Sequence, residues 1–456
     1  MLTVMDITLD NISKEFGISF EPTGSKWGGV HRRISRTWKA ATKLTRRRSR
    51  ALTPSSAQAA RAQPQRWRLP IELVEQIMDH LYDDPQTLRS FALVSHALVH
   101  SARHHIFHRI IVHENNYVES VQLFVKNPCL AEYVRELYLE ADGRAFESLQ
   151  ALQQKAQPSK LLRVFALILA PLMRNVVHLS LKDVPVNADI VKMLSPHFPR
   201  LHSLSLFDCW FGHNADLDTL VRCYPNMRTL RCGRLCSLYG ATERPDQEPI
   251  EQPRTAAIAM QTLKVTEAYA PSPLTLMPWL VGHIHPETFA YTLYRVSQVA
   301  KLNQAIAGYA SMRHLHLIFY HWRRSDTEEV IECPQVMAIS PHYPPNITTL
   351  TLDAKLYSLL LVVNLLAQLD PHSFLRLRTV NIIAHLRVED VEEVEWAAWA
   401  GMERTLSVLL SLGAVNFTNS CSDPSHVEEG CKAIVARLRV LDIRGMLSFA
   451  ALKATV

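Results

Sequence analysis

"LHSLSLFDC" (residues 201–209) sets large apolar side chains at Leu201, Leu204 and Leu206, with Ser205 between the last two. Such alternation suits a strand with one buried and one wet face, because successive side chains point to opposite sides. The phrase returns as "VRELYL" (134–139), "VVHLSL" (176–181), "MRTLRC" (227–232), "MQTLKV" (260–265), "MRHLHL" (312–317), "ITTLTL" (347–352), "LRTVNI" (377–382) and "LRVLDI" (438–443). In every copy the residue between the last two apolar positions is non-aliphatic: Tyr138, Ser180, Ser205, Arg231, Lys264, His316, Thr351, Asn381 and Asp442. Helix-like stretches with a turn precede many copies, as in "ADIVKMLSPHFPR" (188–200) and "DLDTLVRCYPN" (216–226). The spacing predicts an α/β array of parallel strands with helices behind, each repeat burying its leucines against its neighbours. Long gaps leave room for degenerate copies near "FAYTLYRV" (289–296) and "GAVNFTN" (413–419).

Intervals of 25 and 26 residues separate the copies around Leu179, Leu204 and Leu230, which matches the period of leucine-rich repeats. The L-x-x-L-x-L-x-x-C phrase from Leu201 to Cys209 resembles those repeats in irregular form. The expected domain therefore runs over 113–456 as an irregular leucine-rich-repeat-like solenoid. Its wet strand face is expected to carry the substrate surface, with His178, Ser180, Ser205, Arg231, Lys264, His314, His316 and Thr351 projecting together. That set suits a polar or acidic protein segment. Two interruptions stand out: the Pro-rich loop "GATERPDQEPIEQPRTA" (240–256) and a helix over 389–411 with an acidic first half.

Ahead of the repeats, residues 67–112 read as three short helices. In "LPIELVEQIMDHL" (69–81) Leu73, Val74, Ile77 and Leu81 recur at helical spacing, with Pro70 near the start and Glu72 in the first turn. Asp84-Pro85 reads as an N-cap with Pro at the first helical position, opening a helix through Leu88, Phe91, Ala92 and Val94. Ser95 caps a third, through Leu98, Ala102 and Ile106. Three short helices bury little surface alone, so the module is expected to lean on a partner.

These residues carry a resemblance. Leu69-Pro70-x-Glu72-Leu73, Ile77, Leu81, Leu88, Phe91-Ala92-Leu93-Val94-Ser95 and "ARHHIFHRI" (102–110) look like an F-box of the fungal type. At the family's usual tryptophan position this chain has Leu98. The resemblance implies docking of a Skp-family adaptor, and through it a cullin-RING ubiquitin ligase, by Leu69, Pro70, Leu73, Ile77, Leu81, Leu88, Val94 and Leu98. It further implies that the rest of the chain recruits a protein substrate.

Residues 1–66 read as a basic arm and linker: up to Arg68 there are 14 Lys/Arg against 4 Asp/Glu, while the remainder of the chain carries 35 against 39. The run "HRRISRTWKAATKLTRRRSR" (31–50) suits nuclear import or an anionic surface, and gives a rival reading: a non-enzymatic repeat scaffold or nucleic-acid-associated factor whose arm binds phosphate. The longest apolar stretches, "VFALILAPLM" (164–173) and "LLLVVNLLAQL" (359–369), are too short to span a bilayer, so the expected setting is soluble, cytoplasmic and/or nuclear. No phosphate-cradling glycine loop or GxSxG elbow occurs. Cys209, Cys223, Cys232 and Cys236 lack the paired knuckles of a zinc site and read as core residues. The expectation is therefore a protein that acts by positioning, without catalysis, cofactor or metal.

Overall fold

The computed structural model describes residues 70–141, 160–211, 214–237, 258–266, 282–293, 298–319, 346–354, 359–384, 388–419 and 424–451, apart from a few single residues. The basic arm, Leu69 and the 240–256 loop lie outside the described residues. Two compact units result, one holding residues 70–107 with Val118–Lys126, the other His108–Tyr117 with the chain from Asn127 onward.

The first unit is helical. Helix α1 (Ile71–Asp79) begins after Pro70, whose fixed φ of −51° feeds the first turn. Helix α2 (Pro85–Val94) is capped by Asp84, whose Oδ1 accepts from the amides of Gln86 (3.1 Å) and Thr87 (3.0 Å). Thr87 Oγ1 donates to the other carboxylate oxygen at 2.5 Å. Helix α3 (His96–His108) follows without a loop, and α4 is Tyr117–Lys126. Met78, Leu88, Leu98 and Ala102 make the core, with Val74, Leu81, Phe91, Ala92 and Ile106 packed on it. Polar contacts tie α1 to α3: Ser101 Oγ donates to Glu75 (3.0 Å), and His105 faces Asp79 (3.1 Å).

The second unit is built on strands β1 (Arg109–His113), β2 (Glu136–Glu140), β3 (His178–Lys182), β4 (Pro185–Val186) and β5 (Ser203–Phe207). Next come β6 (Trp210–Phe211), β7 (Thr229–Gly233), β8 (Cys236–Ser237), β9 (Ile258–Thr266) and β10 (Ile284–Leu293). The remainder are β11 (His314–Phe319), β12 (Thr349–Ala354), β13 (Thr379–Ala384), β14 (Ala414–Asn419) and β15 (Leu447–Ala451). Twelve of them form one sheet in the order β1-β2-β3-β5-β7-β9-β10-β11-β12-β13-β14-β15, and β4-β6-β8 form a small second sheet. Every pairing is parallel. Helices alternate with the strands, among them α8 (Asn214–Arg222), which follows α5 (Pro128–Ala131), α6 (Lys160–Val164) and α7 (Ala188–Leu194). This is the leucine-rich-repeat-like α/β array that the spacing predicts.

Burial follows the phrase. Leu201, Leu204 and Leu206, like Ile347, Leu350 and Leu352, are at most 1% exposed. A fully buried leucine contributes about 1.5–3 kcal/mol, so the same three positions in each repeat supply much of the stabilisation. The turn before each strand is also tied to the previous repeat. Asn175 Nδ2 donates to the Glu132 carbonyl (2.9 Å), Asn346 Nδ2 to Ala310 (3.0 Å) and Ser411 Oγ to Leu377 (2.8 Å). After β3, β5 and β7 the chain turns through left-handed Asp183, Asp208 and Arg234 (φ 56°, 55° and 50°) into the small second sheet. Gly233 is required beside this turn, because a Cβ there would lie 2.4 Å from Cδ1 of Phe207, its neighbour in register.

Two expected copies in the long gaps are strands: β10 contains "FAYTL" and β14 contains "AVNFTN". One phrase is not a strand. "LRVLDI" forms the helix Arg439–Ile443, in which Leu438 and Leu441 are buried and Arg439, Val440, Asp442 and Ile443 are exposed, a spacing of three in place of alternation. Gly445 at φ +66° closes the helix, with Met446 N–H on the Leu441 carbonyl (3.0 Å) and Gly445 N–H on Asp442 (2.8 Å). The strand follows as β15. The acidic helix over 389–411 is two helices, Val388–Glu392 and Trp396–Val408, the second starting after Glu395. Strand β1, read from the sequence as the tail of the helical module, pairs with β2 from Arg109↔Glu136 to His113↔Glu140.

Candidate functional site

Two surfaces follow from the sequence, one on each unit. On the helical unit, Leu73 and Ile77 lie one turn apart on α1 and are 45% and 44% exposed, with Ile71 beside them at 42%. Pro70 is exposed, and on α2 Val94 is exposed as well. Leu81 is half-buried against the core, and Leu88 and Leu98 are core residues. Of the expected docking residues, Pro70, Leu73, Ile77 and Val94 thus present surface, whereas Leu88 and Leu98 support it from beneath. The same apolar spacing serves inner and outer faces of a short helix, and only packing tells them apart.

On the sheet, the register aligns one residue per strand across the array. The row runs Tyr138, Ser180, Ser205, Arg231, Lys264, Ala290, His316, Thr351, Asn381, Asn416 and Ser448, each paired with the next. All eight expected residues share this face, since His178 and His314 stand two positions before Ser180 and His316. They differ in access. Arg231 is exposed, while His178, Lys264, His314, His316 and Thr351 are half-buried. Ser180 and Ser205 are buried, at 5% and 2%, and line the floor.

The two ends of the row differ in chemistry. At the β1 end the Arg109 guanidinium lies 4.3 Å over the Tyr138 ring, which meets the His178 ring at 5.4 Å. Tyr138 Oη donates to Glu136 (3.2 Å), and His178 Nδ1 contacts Ser203 Oγ (2.9 Å). Burial pushes the His178 pKa down, Glu136 opposes this, and Arg231 and Arg109 push the same way as burial, so the neutral ring is favoured. Burial, aided by Glu136, holds the Tyr138 phenol above its ordinary value. Along the outer positions His113 faces Glu140 (3.2 Å), with Lys182 on its other side (3.9 Å). At the β15 end an uncharged ladder takes over. Asn381 Nδ2 donates to Thr351 Oγ1 (3.2 Å), Asn416 Nδ2 to Asn381 Oδ1 (2.8 Å), and Ser448 Oγ to Asn416 Oδ1 (2.5 Å).

Arg109, Glu136, Asn416 and Ser448 belong to this face and were not among the expected site residues. Tyr138 and Asn381 were legible as wet positions of the phrase; Arg109 was hidden because its strand adjoins the helical module. Asp442, expected on the row, lies on the exposed side of a helix.

Cys209 and Cys232 are buried, and burial pushes the Cys232 thiol up to about 12 and the Cys209 thiol higher still, the reverse of an activated thiolate. Cys209 Sγ donates to the Leu181 carbonyl (3.3 Å) of the neighbouring repeat, a packing role. Among the described residues no group of three or more His, Cys, Asp or Glu side chains is placed to hold a metal ion, and no helix is long and apolar enough to cross a membrane. The structure thus presents two candidate surfaces, and no protein-family model and no curated protein matches this chain.

Proposed function

We propose that this chain is a substrate-recognition subunit of an SCF-type ubiquitin ligase, its helical unit an F-box that docks a Skp-family adaptor and its sheet face the receptor for a target protein. The observation that carries the reading is the coincidence of the Leu-Pro-x-Glu-Leu phrase with a capped short-helix unit whose first helix leaves Ile71, Leu73 and Ile77 two-fifths or more exposed. Apolar side chains held at that exposure on a helix that packs on the core through Met78 and Val74 are suited to a partner. Positioning is the whole mechanism: a target held on the sheet face gains effective concentration near a ligase bound through the other unit.

The test is calorimetry of the full chain with a Skp-family adaptor. Wild type is expected to bind, and Leu73→Ala with Ile77→Ala to weaken binding by about tenfold or more while the thermal midpoint stays put. A folded wild type without affinity for the adaptor would overturn the reading, and salt-sensitive nucleic-acid binding lost on deleting residues 31–50 would put the phosphate-binding scaffold in its place. Leu98, lying 7% exposed in the core, is not a contact to improve: Leu98→Trp is expected to strain the unit.

A further inference from the structure

The edge of the sheet where the strands begin carries a charge pattern that the strand face does not. Residues at the register just ahead of β5, β7, β11, β12 and β13, with Glu287 inside the longer β10, are joined by backbone hydrogen bonds, Arg228 N–H to His202 O (2.8 Å), Arg313 to Glu287 (2.9 Å) and Arg378 to Thr348 (2.8 Å). They form a continuous rim. From β3 to β13 this rim presents Arg174, Arg200, Arg228, Arg313, Arg376 and Arg378, all exposed. Their hydrogen bonds go largely to neutral groups: Arg200 to the Asn175 amide oxygen (3.2 Å), Arg376 to that of Asn346 (2.8 Å) and Arg174 to the Pro171 carbonyl (3.4 Å). Among the described rim residues one carboxylate is present, Glu287, 3.9 Å from Arg313. Among the described residues every fixed cation of this rim is an arginine, the side chain whose planar fork pairs with carboxylates two bonds at a time.

The rim then changes character. Ahead of the last three strands Leu375 and Leu410 stand in turns and Ile443 ends a short helix, at 68%, 102% and 84% exposure, with Val408 and Val440 near them at 55% and 45%. Exposed aliphatics in consecutive repeats mark a contact surface. They also decide between anionic partners, since a phosphate backbone has no use for them and a polypeptide does.

We propose that this rim binds an acidic polypeptide segment, laid across the strand starts, whose carboxylates pair with the arginines and whose large apolar side chains cover Leu375, Leu410 and Ile443. From β3 to β13 are seven strand-to-strand steps, at about 4.8 Å each roughly 34 Å, the reach of about ten extended residues. The proposal rests on the reading of this unit as the target-binding part, and it names the class of target: a protein with an acidic stretch ending in an apolar cluster.

The experiment uses the full chain and a labelled synthetic peptide of about ten Glu and Asp residues followed by a Leu-Phe-Ile end, a length set by the same strand geometry. Fluorescence anisotropy is expected to show saturable binding that weakens with salt. In variants whose circular dichroism and thermal midpoint match wild type, Arg200→Glu with Arg228→Glu, and Arg376→Glu with Arg378→Glu, should each lower affinity about tenfold, and Leu410→Ser with Ile443→Ser about fivefold. Replacing the peptide's apolar end with serines should reproduce the last loss. No binding, unchanged affinity in the folded variants, or an oligouridine that binds more tightly than the peptide through the same arginines would overturn the proposal. So would concentration-dependent self-association abolished by Arg376→Glu with Arg378→Glu, which would assign the rim to a second copy. Adaptor calorimetry on the same preparations separates the two readings: lost adaptor binding with retained peptide binding refutes the ligase role alone, and the converse refutes the rim alone.

Discussion

A single carboxylate illustrates how local the helical unit's design is. Asp84 precedes Pro85, and its side chain satisfies two amides that a helix start leaves open. Thr87's hydroxyl first, then its amide and that of Gln86, hold the Asp84 carboxyl below its ordinary value of 3.8. With the folded pKa below the unfolded one, the stabilisation is present in full above the unfolded value and is lost as pH falls through the folded one. Asp84→Ala is therefore expected to speed amide exchange along Pro85–Val94 at neutral pH, and the difference from wild type should narrow as pH falls below the ordinary carboxyl value of 3.8. Hydrogen exchange at a series of pH values checks this; a difference that stays unchanged however far the pH is lowered through the carboxyl's titration would mean the cap is not what secures α2.

At the scale of elements, the strands are held by two unlike faces. The inner face is aliphatic and buries the repeat leucines, while the outer face over β12 to β15 is stitched by side-chain amides and hydroxyls, each accepting from the next strand. A parallel sheet with one wet face needs such polar pairs, because hydroxyls and amides compete with water for their partners and gain by being aligned. Asn381 sits mid-ladder and is half-buried, donating to Thr351 and accepting from Asn416. Asn381→Ala removes both bonds, and at about 0.5–1.5 kcal/mol per neutral hydrogen bond the loss should be roughly 1–3 kcal/mol. Urea unfolding measures it. A change within experimental error would show that water replaces the ladder at no cost.

Across the whole repeat unit, each strand of the twelve-stranded sheet pairs with its neighbours in the order β1 to β15, so stability is expected to vary along the array. Among the described residues strand β15 has a partner on one side only, β14, through Val415↔Leu447 to Asn419↔Ala451. Strands β5, β7 and β9 have partners on both sides and fully buried leucines at Leu204, Leu230 and Leu263. Native-state hydrogen exchange should therefore show the slowest amides in β5–β9 and the fastest strand amides in β15. Uniform protection from β1 to β15 would instead mean that the array opens as one cooperative body.

What the sequence by itself determined is the content of each repeat and of each helix: alternation at Leu204-Ser205-Leu206, the Asp84-Pro85 start and the spacing of Leu73 and Ile77 are local, and local geometry reads them the same way in any surroundings. What only the tertiary structure decided is everything that depends on a neighbour. "LRVLDI" has the letters of a strand, but Leu438 and Leu441 find their burial three residues apart, and Gly445 ends a helix there. Leu88 and Leu98 share the spacing of their exposed counterparts and turn inward. Arg109 enters the sheet face only because β1 pairs with β2, and Arg231 comes beside Lys264 only because β7 pairs with β9 across a long connection. The arginine rim is a mixed case: Arg228, Arg313 and Arg378 hold the second position of the repeat phrase, but its members, 2 to 85 residues apart in succession, meet on one edge only through strand register. Periodicity fixes which way a side chain points within its own segment, whereas register and packing, which join segments distant in the chain, fix what stands next to it.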